Sequence, residues 1–138
     1  TNYGAAKAGI AGFSRSLSME KAKYKCTVNK ISQGAATRLT IDLMKAAGRE
    51  VDPNDWSQGP QQIAPIITWI CSDEASEITN QIFHVSSGTV GIMQQPAVIK
   101  SFKSDELWSM NQLNELMPEL VEAKKSHDKE VEKKGEPI

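Results

Sequence analysis

Ala6, Ile10, Phe13 and Leu17 recur at intervals of four, three and four residues, the spacing that lines one face of an α-helix. The pattern predicts a helix over residues 2–20 with this stripe turned into a core. Ala5, Ala8, Gly9 and Gly12 form a second face of small residues, which lets another backbone or a partner helix come close at a cost in helix propensity. After the charged stretch Glu20–Lys25, Cys26-Thr-Val-Asn-Lys-Ile31 alternates and is β-prone, so a short strand is expected. Ser32-Gln-Gly-Ala-Ala-Thr37 reads as a loop and Leu39–Ala47 as a short helix. Asp52-Pro-Asn-Asp and Ser57-Gln-Gly-Pro60 are turn-rich, and a proline there suits the first turn of a new helix. That helix carries Ile63, Ile66, Ile67 and Ile70 and ends near Ser72. Gln81-Ile-Phe-His-Val85 forms a second strand, closed by Ser86-Ser-Gly-Thr89.

From Ser104 the chain reads as helical again, with Leu107, Leu113, Leu116 and Leu120 apolar and an interruption near Pro118. Core packing is the first reading of Asp105–Leu120, with a cap over a substrate opening or a docking helix as alternatives. Beyond Glu122, the run from Ala123 to Gly135 is almost wholly charged and predicts a solvated or frayed helical tail. Strand, helix, helix, strand is an α/β order that implies one edge of a parallel sheet. Two strands are too few for a free-standing parallel sheet covered on both faces. The expectation is therefore the second part of a larger α/β domain, with which an opening on Thr1 rather than Met agrees. Residues 1–93 are assigned to that domain and residues 94–138 to a helical C-terminal extension with a charged tail.

Composition narrows the classes. A chain of 138 residues suits one globular domain. The formal net charge is −1, so no basic field favours nucleic acid or an anionic membrane surface, and neither is expected as a partner. The apolar runs are too short to cross a bilayer. Cys26 and Cys71 lie far apart without metal-ligand spacing, which points to reduced thiols and a cytoplasmic setting, a disulfide between them being the open alternative. Cys71, beside Trp69 and Ile70, is expected to be a small buried apolar side chain. His84 and His127 have no Cys or carboxylate partner at ligand spacing in the sequence, so no metal is expected.

Chemistry concentrates in the first helix. Residues i and i+4 share a helix face, so Tyr3 and Lys7 set a phenol beside an ammonium. A free phenol ionises near pH 10, and a neighbouring positive charge favours the phenolate, which suits a general acid or base. Spacing alone is a weak signal, because Tyr and Lys fall four apart in many surface helices.

The surroundings of the pair are more specific. Tyr3-Gly-Ala-Ala-Lys7-Ala-Gly-Ile-Ala-Gly12-Phe-Ser-Arg-Ser-Leu17-Ser-Met-Glu20 resembles the active-site helix of the short-chain dehydrogenase/reductases. Val28-Asn-Lys-Ile31 resembles the next strand of that family, and Gln33-Gly-Ala-Ala-Thr37-Arg-Leu-Thr40 its Pro-Gly loop ending in a Thr. Gly59-Pro-Gln-Gln-Ile63-Ala-Pro, Trp69-Ile-Cys-Ser-Asp-Glu-Ala75 and Gln81–Val85 resemble its late helix and final strand. The matches are in order and span roughly residues 1–90. What the resemblance implies is an α/β fold, the carboxyl-terminal part of a Rossmann-like doubly wound parallel sheet with added C-terminal helices. It further implies an enzyme that transfers hydride between NAD or NADP and a small hydroxy or oxo substrate. Tyr3 would exchange the proton, and Lys7 would hold the nicotinamide ribose and favour ionisation of the phenol. Gly34, Ala35, Ala36 and Thr37 would contact the carboxamide. The loop is most similar to that of (3R)-hydroxyacyl-CoA dehydrogenases, which implies an acyl thioester of fatty-acid metabolism, and the family resemblance implies a homo-oligomer, dimer or tetramer.

Departures from the family pattern accompany these matches. Gln33 replaces the usual Pro, and Ser86-Ser-Gly-Thr89 the usual Asp-Gly-Gly. The printed chain holds no Gly-rich strand-to-helix turn for a pyrophosphate and no Ser shortly before Tyr3, so it is expected to be inactive alone. A non-catalytic relative acting as an oligomerisation or protein-interaction module is the alternative. A helical binding protein unrelated to the family, using its C-terminal helices, is the third reading.

Overall fold

A computed structural model of the protein describes residues 1–52 and 54–134. Pro53 of the turn-rich connection and Gly135 at the end of the charged run lie outside the described residues. The chain divides into two compact units, one of residues 1–95 and one from residue 96 onward.

The first unit opens with helix α1, Asn2–Lys21. It tightens into a 3-10 turn, Ala22–Tyr24, and stops where Lys25 takes a left-handed φ of 54°. Strand β1 covers Lys30–Gly34 and helix α2 Ile41–Ala46. A 3-10 turn, Pro60–Gln62, precedes helix α3, Ala64–Ile70. Strands β2, Ile82–Ser86, and β3, Thr89–Ile92, complete a three-stranded sheet of order β1-β2-β3. β1 and β2 are parallel, with Lys30 opposite Ile82 and Gly34 opposite Ser86. β2 and β3 are antiparallel, joined by Ser87 and Gly88 at φ values of 50° and 75°. Positive φ at both central residues is the two-residue turn that matches the twist of a hairpin.

The core draws on one face of β2, where Phe83 and Val85 alternate inward, and its other buried apolar side chains are Ile63 and Ala75. Ile63 precedes α3 and Ala75 closes the 3-10 turn Asp73–Ala75 that follows it. The α/β expectation therefore holds, with a third, antiparallel strand that the reading of Ser86–Thr89 as a mere closure missed.

Several expectations are corrected. β1 begins at Lys30 rather than Cys26 because side-chain bonds interrupt the ladder before it, leaving Val28 a single backbone bond, from Asn80 N–H at 2.8 Å. Thr79 Oγ1 accepts from Val28 N–H at 3.0 Å, and Asn29 donates to Ile78 O at 2.7 Å. Ser32, Gln33 and Gly34, read as loop, are strand because β2 supplies their pairing partners. The helix expected over Pro60–Ser72 is broken. Pro65 lacks an N–H and is tolerated only in the first turn of α3. The stripe on α1 is not buried: Ile10 and Phe13 are 54% and 65% exposed, Ala6 is exposed and Leu17 half-buried. α1 and β1 line a groove between them, and Ile10 and Phe13 stay open to water. Cys71 is exposed, not buried, and both cysteines are free thiols.

The second unit holds one helix among the described residues, α4, Met110–Lys134, in place of the several expected. It starts later than Ser104 because Ser109 and Gln112 form a capping box. Ser109 Oγ accepts from Gln112 N–H at 3.3 Å, and Gln112 Oε1 accepts from Ser109 N–H at 2.9 Å. Pro118 lies inside α4 without ending it, and the charged run is helical through Lys134 and mostly exposed, the solvated helical tail of the two alternatives expected. Lys100 pairs with Glu119 and Lys124 with Asp128. Among the described residues, no helix is long and apolar enough to cross a membrane.

At Gly9 and Gly12 an added Cβ would meet no atom within 4 Å. Glycine in a helix interior costs roughly 0.5–1 kcal/mol relative to alanine. In the 138-residue chain, Gly9→Ala and Gly12→Ala should each stabilise α1 by about that amount, read as raised helicity and a higher melting midpoint by circular dichroism.

Candidate functional site

α1 sets Tyr3 and Lys7 one turn apart, and the Lys7 ammonium stands 5.4 Å from the centroid of the Tyr3 ring, within cation–π distance. Tyr3 is 72% exposed, so its hydroxyl is reachable from solvent. With Ile10 and Ala11 the pair lines one side of a groove of about 440 Å³. Lys30–Gln33 of β1 form the opposite side, with Ile82 and Met93 contributing.

The strand passes from this groove into a second cavity. Gly34, the residue after Gln33, joins Ala35, Ala36 and Thr40 in lining a space of about 240 Å³, closed by Leu43, Met44, Arg49, Ser57, Gln58, Ser86 and Ser87. The structure thus brings Tyr3 and Lys7 together, and separately gathers Gly34, Ala35 and Ala36. The two groups flank consecutive residues of β1 instead of sharing one cavity. Thr37 lies outside both linings and faces Thr40, their hydroxyl oxygens 3.2 Å apart.

Two anchors hold the loop after β1. Thr40 is the first: its hydroxyl donates to Ala35 O at 3.1 Å and accepts from Thr37 N–H at 2.9 Å. The second is Gln58, whose carbonyl accepts from Ala36 N–H at 2.6 Å. Gln58 is itself fixed by Asp55. Asp55 Oδ1 accepts from the Ser57 N–H at 2.9 Å and hydroxyl at 2.7 Å, and Oδ2 accepts from the Gln58 amide at 3.0 Å. The Ser57 hydroxyl, then the Ser57 N–H, hold the Asp55 carboxyl below the usual carboxylate range; desolvation opposes them, and the Gln58 amide adds a smaller lowering. Sequence reasoning assigned no role to Thr40, Asp55 or Gln58. Asp-x-Ser is a legible signal, since an aspartate bonds the backbone two residues on, but nothing in the sequence shows that this turn meets Ala36.

Among the described residues, no three His, Cys, Asp or Glu side chains converge as a metal site would require. Cys26, Cys71, His84 and His127 stand outside the linings of both cavities.

Comparison with known proteins follows the same residues. Residues 1–90 match the family model described as enoyl-(acyl carrier protein) reductase. Over 91 residues the chain is 41% identical to the 3-oxoacyl-(acyl-carrier-protein) reductase FabG of Salmonella typhimurium, covering 63% of this chain and 37% of that protein. It is 36% identical over 93 residues to the peroxisomal hydratase-dehydrogenase-epimerase of Neurospora crassa, covering 65% of this chain and 10% of that one. A crystal structure of a short chain dehydrogenase from Mycobacterium avium superposes with a TM-score of 0.68 at 28% identity, over 89% of this chain and 39% of that chain. The chain thus spans little more than a third of the length of the FabG relative, 37%.

The Asp55 turn gives the loop a pH dependence of known sign. A carboxyl whose folded value is depressed stabilises the fold above its unfolded value, about 3.9, and loses that contribution as pH falls through the folded value. Between about pH 5 and pH 2 the melting midpoint of the wild type should therefore fall further than that of Asp55→Asn. Equal falls would mean that the ionised turn adds nothing.

Proposed function

The chain belongs to the short-chain dehydrogenase/reductase family, and we propose that it is the carboxyl-terminal part of an NAD- or NADP-dependent oxidoreductase that interconverts a hydroxyl and a carbonyl. Residues 1–93 supply the end of the Rossmann-like domain and residues 94–138 a helical extension. The observation that carries this reading is the Tyr3–Lys7 pair on one side of α1, opposite β1 across a groove.

The donor set fits the nicotinamide end of a dinucleotide. Two cations, Lys7 and Lys30, and two hydroxyls, those of Tyr3 and Ser32, line the groove, and a loop of small residues with open backbone polar groups begins beside it at Gly34. The bound dinucleotide supplies or accepts the hydride. Tyr3 gives its phenolic proton to the carbonyl oxygen in the reductive direction and takes it back in the oxidative one. Lys7 holds the ribose hydroxyls and, beside the ring, offsets the negative charge that grows on the phenolic oxygen as the proton leaves. Gly34, Ala35, Ala36 and Thr37 present the carboxamide-facing groups that fix which ring face meets the substrate.

A 3-hydroxyacyl or 3-oxoacyl thioester is the substrate class we favour. Support comes from the relatives named for acyl carrier proteins and from the loop pattern Gln33–Thr40. We also propose a cytoplasmic homo-oligomer; the exposed stripe and small-residue face of α1 support self-association. That exposed face equally favours a second reading, an association module without catalysis.

Kinetics of the full-length protein separate the two. Tyr3→Phe should lower kcat by about 10²–10⁴-fold with dinucleotide affinity little changed, whereas Lys7→Ala should lower kcat and weaken the dinucleotide as well. A Tyr3→Phe protein as active as the wild type would remove Tyr3 from the reaction, and a wild type without turnover on any acyl thioester would favour the association module.

A further inference from the structure

Gln62 ends the 3-10 turn that precedes α3 and is half-buried. Its side-chain amide reaches three separate stretches of backbone. Nε2 donates to Gly34 O at 3.3 Å and to Ser57 O, and Oε1 accepts from Gly88 N–H at 3.0 Å. Gly34 is where β1 ends and the loop begins. Ser57 belongs to the Asp55 turn, whose next residue holds Ala36. Gly88 is in the turn between β2 and β3. One amide therefore ties the first residue of the loop to the two turns beside it.

Only a primary amide of this length serves all three partners. Two carbonyls require a donor and one N–H requires an acceptor, which also fixes which way the amide points. A carboxylate would keep the Gly88 bond and set negative charge against the Gly34 and Ser57 carbonyls. The far side of Gly34 is closed too, since a Cβ there would stand 2.5 Å from Ser86 Oγ. Gln62 lies outside the linings of the Tyr3–Lys7 groove and of the loop cavity, so it acts on the loop from behind.

We infer that Gln62 is a positioning residue, which sets the conformation of the Gly34–Thr37 loop and through it the grip on the nicotinamide carboxamide. The inference rests on the oxidoreductase reading above. It assigns to Gln62 an effect on dinucleotide binding that is separate from proton transfer at Tyr3.

The test uses the full-length protein with Gln62→Met, which keeps length and packing without hydrogen bonds, and Gln62→Glu, which keeps one bond of three. Binding is followed by the fluorescence of the reduced dinucleotide, with the melting temperature of the dinucleotide-free protein taken in parallel. The second probe is 3-acetylpyridine adenine dinucleotide, in which a methyl group replaces the carboxamide NH₂. Both variants should weaken the natural dinucleotide roughly tenfold, raise its KM in step, and leave kcat at saturation within about threefold. Because the lost contact is to the carboxamide, the 3-acetylpyridine form should weaken less, so that the preference for the natural form narrows. Unchanged affinity, or equal loss for both dinucleotides with a lowered melting temperature, overturns the role of Gln62 while leaving the oxidoreductase reading intact. Failure of the wild type to bind either dinucleotide overturns both.

Discussion

Parallel pairing of β1 with β2 is the constraint on which the candidate site depends. It joins Lys30 to Ile82 and Gly34 to Ser86 across about fifty intervening residues, well beyond the dozen or so that a crossover between parallel strands requires. α2 and α3 lie in that crossover. The Phe83 and Val85 side chains of β2 are buried, as are Ile63 and Ala75 on either side of α3. Once the register is set, Gly34 lies at the carboxyl end of β1, the place where open α/β sheets present their ligands. Its loop is then held from three directions, by Thr40, Gln58 and Gln62.

The same strand runs between the two halves of the proposed chemistry. Gln33 faces the groove that Tyr3 and Lys7 line, and Gly34 faces the cavity that Ala35 and Ala36 line. A single step along β1 thus leads from the groove of the Tyr3–Lys7 pair to the loop proposed to face the carboxamide. α1 contributes both side chains of that pair, yet its apolar stripe is open at Ile10 and Phe13, and β1 is an edge of the sheet among the described residues. An unpaired strand edge beside an exposed apolar stripe invites further packing. On the proposed reading, the remainder of the oxidoreductase domain pairs with β1, and a second subunit covers α1.

Patterns within one element were legible in the sequence, and contacts between elements were not. The i, i+4 relation of Tyr3 and Lys7 follows from helical spacing alone and is present in α1. The second strand was legible because Phe83 and Val85 alternate with His84 and Ser86. The apolar stripe identified α1 as a helix but not its surroundings, since spacing says nothing of what stands opposite. The start of β1 was misread because side-chain bonds of Asn29 and Thr79 interrupt the ladder there, and its end because Ser32–Gly34 look polar until β2 pairs with them. β3 was missed although Ser87-Gly88 is a fair hairpin signal; its four residues carry only a short alternation. The Ser109–Gln112 box was legible as well, and it marks the start of α4 better than the scattered leucines do.

The measurement that bears most directly on this account is an experimental structure of the full-length protein with the reduced dinucleotide bound. The account predicts the nicotinamide end in the groove between α1 and β1. The Lys7 ammonium should lie within about 3 Å of the ribose hydroxyls, and the carboxamide should rest against Gly34–Thr37. A dinucleotide bound away from this groove, or a Lys7 that makes no contact with it, would contradict the account.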